Sequence, residues 1–593
     1  MASPPPPPPP PPGLLTPKPD PDAPLPPLPY PVLTPDLRRE LELHPNLAQS
    51  LLLSAQSPPP LHIQPNSAPA ATATNKMKKR ARASQEMVRI TNLSIADHLH
   101  YRSLVRRARL TFEALRSIYQ RQDLATAGGS RNRFDLRASS KMLSKGLWMH
   151  RDIRTVGAIP GLLVGDSFFY RAELCVLGLH TAPQAGIGYI PASIVDQGHP
   201  IATSIVSSGG YLDDEDSGDV LVYTGSGGRL RNRLDHSADQ TLQRGNLALH
   251  YSCHYGIEVR VIRGHACDHS PSHKVYVYDG LYRVVTSTFG PGKSGRDVCK
   301  FKLVRIPGQD ELGSKAWHTA AELKDALDSK IRAPKYISLD IAKGKEPFRV
   351  PVYNKLDDDR SPLFYDYIAC PEFPSQQLVK RQRGCHCAEV CGSRCSCERK
   401  NRGADGPVYN LDGILLRGRP VVYECGALCR CPMSCPNRVT QQGMKHRLEV
   451  FRSKETGWGV RTLDLIQPGA FICEYAGDVL SLDSHSGDAP PMEDGSSIID
   501  PTKFPERWRE WGDASAVYPD KVPHFPLFAG ARYRLDVSQR RNVACYISHS
   551  CSPNVFLQYV IRGNEDESYP HMMVFAMETI PPMRDLCIDY GLD

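Results

Sequence analysis

Nine of the chain's 18 cysteines crowd between Cys385 and Cys435. Their order is Cys385-x-Cys387-x3-Cys391-x3-Cys395-x-Cys397, then 27 residues, then Cys425-x3-Cys429-x-Cys431-x3-Cys435. Nine thiolates cannot fill a whole number of separate four-sulfur sites, but they complete three tetrahedral zinc sites when three sulfurs bridge. The spacing therefore predicts three structural zinc ions, with no open position for a substrate. Such a cluster is net negative, and Arg381, Arg383, Arg394, Arg399, Lys400, Arg430 and Arg438 are placed in sequence to offset it. A disulfide framework is not expected, because the N-terminus has no charged start followed by an apolar run and does not read as secretory.

A second chemical group is aromatic and acidic. Residues 204–228 read SIVSSGGYLDDEDSGDVLVYTGSGG, and Tyr278-Asp279-Gly280 follows in what reads as a strand-to-turn context. Taken alone, Tyr211 and Tyr223 are core tyrosines and Asp213 caps a turn. The flanking motifs change that: Gly157-Ala158-Ile159-Pro160-Gly161, Asp239-Gln240, Gly245-Asn246-Leu247-Ala248-Leu249, Arg260-Val261-Ile262-Arg263-Gly264 and Ile306-Pro307-Gly308-Gln309. The block resembles the SRA (YDG) domain, a DNA-binding module that holds a flipped 5-methylcytosine. A flipped cytosine offers two π faces and an exocyclic amine, so reading it takes aromatic plates and a carboxylate acceptor. The resemblance implies stacking by Tyr211 and Tyr223, amine recognition by Asp213, and insertion of Gln184 into the vacated stack. A few extra residues stand between Gln184 and Gly209 relative to that family.

The cysteine run resembles the nine-cysteine pre-SET motif, closing with Cys435-Pro436-Asn437-Arg438 and Gln441. Beyond it come Gly457-Trp458-Gly459-Val460, Phe471-Ile472-Cys473-Glu474-Tyr475-Ala476-Gly477, Asn542-Val543-Ala544, His549-Ser550-Cys551-Ser552-Pro553-Asn554 and Asp589-Tyr590-Gly591. These resemble a SET domain, and SRA, pre-SET and SET in this order resemble the plant SUVH family. The resemblance implies methylation of histone H3 on lysine-9 from S-adenosylmethionine. It places Gly457, Trp458, Gly459, Asn542, Ser548 and His549 at the cofactor, with Tyr590 and Tyr475 as the catalytic tyrosines. Three departures weigh against that activity. Ser548 replaces the asparagine of the family's Asn-His-Ser-Cys; Cys545-Tyr546 replaces Arg-Phe and Arg541 replaces glycine; and the sequence stops at Asp593, before the post-SET Cys-x-Cys-x4-Cys whose thiolates join the cysteine matching Cys551. Without those partners Cys551 is expected to be a buried packing cysteine. The sequence thus favours a SUVH member of the subgroup lacking post-SET: a methyl-DNA-binding adaptor whose SET domain has weak or absent catalysis. The alternative is an active histone methyltransferase.

These groups need scaffolds. Of 53 prolines, 24 lie in the first 70 residues, so residues 1–84 read as a disordered tail. It ends in Lys76, Lys78, Lys79, Arg80 and Arg82, a run that suits nuclear import. Residues 85–150 are helical by the spacing of Leu104, Ala108, Phe112, Leu115 and Tyr119, with Arg102, Arg106, Arg107 and Arg116 between them and a break at Gly128-Gly129. This region is expected to be a strut and not a site. Strand runs 220–223, 259–262, 275–278 and 301–306 place an SRA domain at 151–310. A linker is expected at 311–380, the pre-SET cluster at 381–441 and the SET domain at 442–593. The fold class is therefore multidomain and predominantly β, with a zinc-cluster segment, a short helical region and a Pro-rich tail. Lys+Arg exceed Asp+Glu by 72 to 64, which permits a polyanionic partner. No apolar run of membrane-spanning length occurs. Expected partners are methylated DNA, the histone H3 tail and silencing-machinery proteins in the nucleus and on chromosomes; pairing of two chains through the helical region stays open.

Overall fold

The computed structural model describes residues 87–125, 133–195, 198–228, 237–268, 270–329, 334–374, 384–389, 391–392, 395–401, 407–454, 456–482, 497–521, 525, 527–563 and 566–591. The Pro-rich tail, the basic run and the Gly128-Gly129 break lie outside them. The protein is a multidomain, predominantly β fold with six helices among the described residues.

Helix Ile95–Ala125 starts where Ser94 and Asp97 cap each other: the Ser94 hydroxyl accepts from the Asp97 N–H (3.2 Å) and the Asp97 carboxylate accepts from the Ser94 N–H (2.9 Å). Val105, Phe112 and Leu115 form its buried stripe, and helix Phe134–Ser144 folds back with Ala138 and Met142. The two close over one face of the middle sheet, meeting Phe168, Leu174, Val206, Ile262, Tyr276 and Tyr278. Arg107 is exposed, but Arg102, Arg106 and Arg109 are largely withdrawn from solvent. Arg102, Arg106 and Arg109 stand at i, i+4 and i+7, one face of the helix, and this face is buried against carboxylates. Arg102 pairs with Asp166 (2.7 Å) and Glu578 (3.1 Å), Arg109 with Glu173 (2.8 Å), and Arg106 reaches Glu578 (3.7 Å) and Ser552 (2.6 Å). One helix thereby joins the middle and C-terminal domains.

The middle domain is an eight-stranded sheet in the order Ile187–Ile190, Ile201–Ser207, Glu258–Ala266, Lys274–Pro291, Asp297–Arg305, Val220–Thr224 and Glu215–Asp216, with Ser167–Phe168 beside Lys274–Pro291. Its second face packs Ile205, Leu221, Val259, Val261, Tyr282 and Phe301 under helix Arg244–His254. Tyr278-Asp279-Gly280 is not a strand end. It sits inside the long strand Lys274–Pro291 at a register shift against Glu258–Ala266, and Gly280 takes φ +96°. The sequence signature of such a bulge mimics a turn, because both ask glycine for left-handed backbone. Asp279 is fully buried there, accepting from Arg263 (2.8 Å) and the Ser314 N–H (2.8 Å), so it clamps the bulge.

Residues 311–380 are more than a linker. They hold helix Gly313–Asp328 and strands Tyr336–Ser338 and Val352–Tyr353, which extend the C-terminal sheet through Leu448–Ser453 to Gly457–Thr462. Strands of two and three residues, one of them paired with Val450 and Phe451 about a hundred residues away, leave no periodicity to read. A second sheet, Val422–Glu424, Val555–Arg562, His571–Ala576 and Phe471–Glu474, runs from the cysteine-rich segment into the C-terminal domain. The seam holds the buried Glu424 carboxylate, which accepts from the Thr440 N–H (2.9 Å), Thr440 Oγ1 (3.0 Å), Gln441 Nε2 (2.8 Å) and Tyr409 OH (3.0 Å).

Candidate functional site

In the middle domain, Tyr211 and Asp213 lie in the turn before Glu215–Asp216, and Tyr223 lies on Val220–Thr224. Asp213 is buried. Its Oδ1 accepts from the Lys293 N–H (2.9 Å) and pairs with Lys300 Nζ (2.9 Å), while Oδ2 is buried without a protein partner. A Cβ at Gly292 would stand 2.8 Å from that oxygen, so a side chain there would crowd it. Burial pushes the carboxyl up, but Lys300 and the Lys293 amide outweigh it and hold Asp213 below its usual range. It is an ionised carboxylate with one unengaged acceptor, which is what an exocyclic amine takes.

Tyr223 is buried, with Tyr211 near enough to bear on its phenol. A Cβ at Gly186 would come within 2.5 Å of the Tyr223 hydroxyl, which places the loop carrying the exposed Gln184 against that ring. Arg171 donates to the carbonyls of Gln184 (3.3 Å) and Ala185. His180 bridges the Ala185 carbonyl (2.9 Å) and Ser204 Oγ (2.8 Å), and burial drives it down to about 3, so it is neutral. It therefore donates through Nε2 and accepts through Nδ1. Sequence reasoning missed Arg171, His180, Lys293 and Lys300. They are scattered along the chain, and only the sheet order gathers them.

The nine cysteines form one cluster. Sulfurs of Cys385, Cys397, Cys425 and Cys429 lie mutually within 4.8 Å, as do Cys385, Cys387, Cys391 and Cys395, and Cys385, Cys391, Cys425 and Cys431. Cys435 is fully buried beside them. Contacts of 3.6 Å (Cys385–Cys391), 3.5 Å (Cys391–Cys425) and 3.6 Å (Cys397–Cys429) are close to the edge of about 3.8 Å that a tetrahedron with Zn–S of ~2.3 Å requires. The donor set fits zinc. Of the expected countercharges, Arg438 points Nε at Cys431 Sγ (3.5 Å), and Lys400 caps the Gly563 carbonyl (3.3 Å) instead. Arg399 and Arg430 are exposed, and Arg381, Arg383 and Arg394 lie outside the described residues.

In the C-terminal domain Tyr475 is fully buried and its hydroxyl meets that of Tyr590. The Tyr590 hydroxyl donates to the Ile547 carbonyl (2.8 Å), so Tyr475 donates to Tyr590. Burial raises both phenols above their usual range, and Phe504 packs at 6.0 Å and 5.3 Å from the two rings. His549 Nδ1 accepts from the Tyr590 N–H (3.3 Å), leaving Nε2 3.7 Å from Cys551 Sγ. Cys551 is half-buried rather than buried, because its neighbour is this polar ring and not an apolar core.

The residues matched to a methyl-donor pocket are mostly engaged by the protein. Asn542 donates to the Glu474 carbonyl (2.6 Å) and accepts from the Ala544 N–H (3.2 Å). Trp458 Nε1 donates to Asp359 (2.9 Å) under the Arg452 guanidinium. Gly459 faces the Phe451 ring, which a Cβ would approach to 2.9 Å. Ser548 lies on a short strand beside Cys587, and Gly457 keeps φ +77°. Arg541, in the place of a glycine, stacks on Tyr365 at 3.5 Å. Of this set, the Asn542 amide and the Trp458 ring N–H are already engaged within the protein.

The SAD/SRA domain family matches residues 155–309, the Pre-SET motif 342–438 and the SET domain 457–591. The histone-lysine N-methyltransferase family member SUVH9 of Arabidopsis thaliana is 46% identical over 521 residues, covering 86% of this chain and 79% of that protein. The crystal structure of SUVH9 superposes with a TM-score of 0.73 at 44% identity, over 83% of this chain and 99% of that one. The structure of KRYPTONITE in complex with mCHH DNA, H3(1-15) peptide and SAH gives 0.64 at 31% identity, over 84% and 94%. With all three domains matched in order and nearly half the residues shared across most of both chains, this protein belongs to the SUVH family of SRA- and SET-domain proteins.

Proposed function

We propose that this protein is a nuclear chromatin-silencing adaptor. It flips 5-methylcytosine out of DNA through its SRA domain, and its H3 lysine-9-type SET domain has weak or absent catalysis. The observation that carries the reading is the buried Asp213 carboxylate with one unengaged oxygen, set with Tyr211 and Tyr223. In this mechanism the two tyrosines receive the base faces, Asp213 Oδ2 accepts from N4, and Lys300 keeps the carboxylate ionised. Gln184, on the loop braced by Arg171 and His180, fills the space the base leaves. The methyl group adds burial of about 0.8 kcal/mol, so preference over bare cytosine is modest. KRYPTONITE, solved with mCHH DNA, supports this assignment by likeness.

Three zinc ions shared by Cys385, Cys387, Cys391, Cys395, Cys397, Cys425, Cys429, Cys431 and Cys435 would hold the pre-SET segment and supply no chemistry. Weak catalysis is supported by Ser548, Arg541 and Cys545-Tyr546, and by the engaged atoms of Asn542, Trp458 and His549. The second reading, an active methyltransferase, is favoured by the retained Tyr475–Tyr590 pair and by the SAH and H3 peptide held by KRYPTONITE. Calorimetric titration of S-adenosylmethionine separates the two. The adaptor reading expects no measurable binding alongside intact binding of a methylated duplex. Tight binding with Tyr590-dependent labelling of histone H3 establishes the enzyme. Silencing-machinery proteins are the proposed partners, and sedimentation decides whether two chains pair through the helical region.

A further inference from the structure

We infer that helix Phe134–Ser144 carries a track for the DNA backbone that extends the footprint of the SRA pocket onto the helical region. The inference rests on the methyl-DNA reading and goes beyond it, since that reading confines DNA to the SRA domain. Arg133, Arg137 and Lys141 recur every four residues and line one bank of an open groove of about 560 Å³, with Ser140, Ser144 and Tyr119. At 1.5 Å per residue they span roughly 12 Å, the reach of several phosphates along a duplex.

The cations are presented outward over an aromatic floor. The Arg137 guanidinium lies 4.5 Å above the Tyr119 ring and Lys141 Nζ 5.3 Å from the Tyr518 ring, while the two phenols bond to each other (3.1 Å). Arg133 and Arg137 pair with Asp135 (2.9 Å) and Asp123 (2.9 Å), but their side chains stay 58% and 43% exposed. Asp123 is itself partly exposed, so the Arg137 pair contributes little and can exchange for phosphate, whereas the buried Asp135 keeps its hold on Arg133, which meets phosphate with its exposed side.

The track leads to the base pocket. Helix Phe134–Ser144 packs on helix Arg171–Val176, whose first residue holds the Gln184 loop. Tyr276 lies between, close to both Arg171 and Arg133, and Arg171 lies close to Tyr223. Three cations along one helix whose packing leads toward a pocket for a flipped base match a polyanion better than an acidic peptide, which would need no such pocket.

The test is a salt titration of the full chain on a long and a short methylated duplex. The parent should bind the long duplex several-fold more tightly, and R133Q/R137Q/K141Q should abolish that difference. The triple variant should also flatten the slope of log K against log salt by up to about 0.9 per lost contact while keeping methyl preference. R133K/R137K, which retains the charge, should keep the parent slope. An unchanged slope and length dependence in the triple variant, or loss of an acidic peptide instead of DNA, overturns the track. If the parent itself binds no methylated duplex, the failure belongs to the SRA reading, and Asp213→Ala on the short duplex reports on that reading alone.

Discussion

The SRA pocket and the SET tyrosine site are both built from buried phenols and a few polar groups, yet they end in opposite states. At the first, burial leaves Asp213 Oδ2 without a partner. At the second, Tyr475 donates to Tyr590, Tyr590 to Ile547, and the Tyr590 amide to His549, so the donors are taken. A buried acceptor left open costs on the order of 1–3 kcal/mol, a cost that a ligand donor can relieve. A closed chain of hydrogen bonds offers a ligand no such gain. Residue types alone do not separate a waiting site from a satisfied one; the partners do.

The largest effect should sharpen this contrast. Chelating zinc removes an apparent binding energy of about 10–16 kcal/mol per structural ion, and strand Val422–Glu424 ties the cluster to the sheet of Val555–Arg562. Chelation should therefore unfold the SET half while the SRA half still binds methylated DNA. Calorimetry with elemental analysis checks this, with three zinc ions expected per intact chain. Retention of the SET melting transition in the metal-free protein would contradict the cluster.

Next comes the joint between the two regions. Glu578→Ala leaves Arg102, Arg106 and Arg109 around an empty position and should destabilise the protein by about 3–5 kcal/mol in thermal unfolding. Burial raises the Glu578 pKa, but the three guanidiniums outweigh it and hold it below the usual carboxylate range. A depressed carboxylate stabilises above its unfolded pKa of about 4.3 and loses that contribution as pH falls through the folded value. Stability should thus fall in acid below about pH 4 in the parent, and less in Glu578→Gln.

At the DNA pocket, Asp213→Ala should weaken binding of a methylated duplex by about 1–3 kcal/mol, and Tyr211→Ala by a similar amount through lost stacking. Titration calorimetry reads both; parent-like affinity would remove the distinction drawn above. The smallest effect belongs to the tyrosine pair. Tyr590→Phe should cost about 1 kcal/mol of stability for the hydrogen bonds it loses and leave DNA affinity unchanged.

Much of this was legible beforehand for reasons of chemistry. The cysteine spacing signals a cluster able to hold zinc because thiolates crowd for little else, and the glycine of Tyr278-Asp279-Gly280 stands out because a left-handed backbone disfavours any side chain. The helix stripe was legible too, since 3.6-residue periodicity is local. The ion pairs of Arg102 and Arg106 were not legible, for the same reason. A local pattern tells which residues are not apolar; it does not reveal that Glu578, more than 450 residues away, waits to bury them.

Long-range pairing is where sequence runs out. Domain order and the cysteine cluster follow from motif and spacing, which the chain carries in one dimension, while Tyr211, Asp213, Tyr475 and Tyr590 were singled out only by resemblance to the family's motifs. Which Asp213 oxygen stays open, that His180 and Arg171 brace the Gln184 loop, that Phe504 packs on both SET tyrosines, and that strands of two residues complete the C-terminal sheet all depend on contacts across the chain. Those contacts arise from three-dimensional packing, because a hydrogen-bond partner is selected by position in space and not by distance along the backbone.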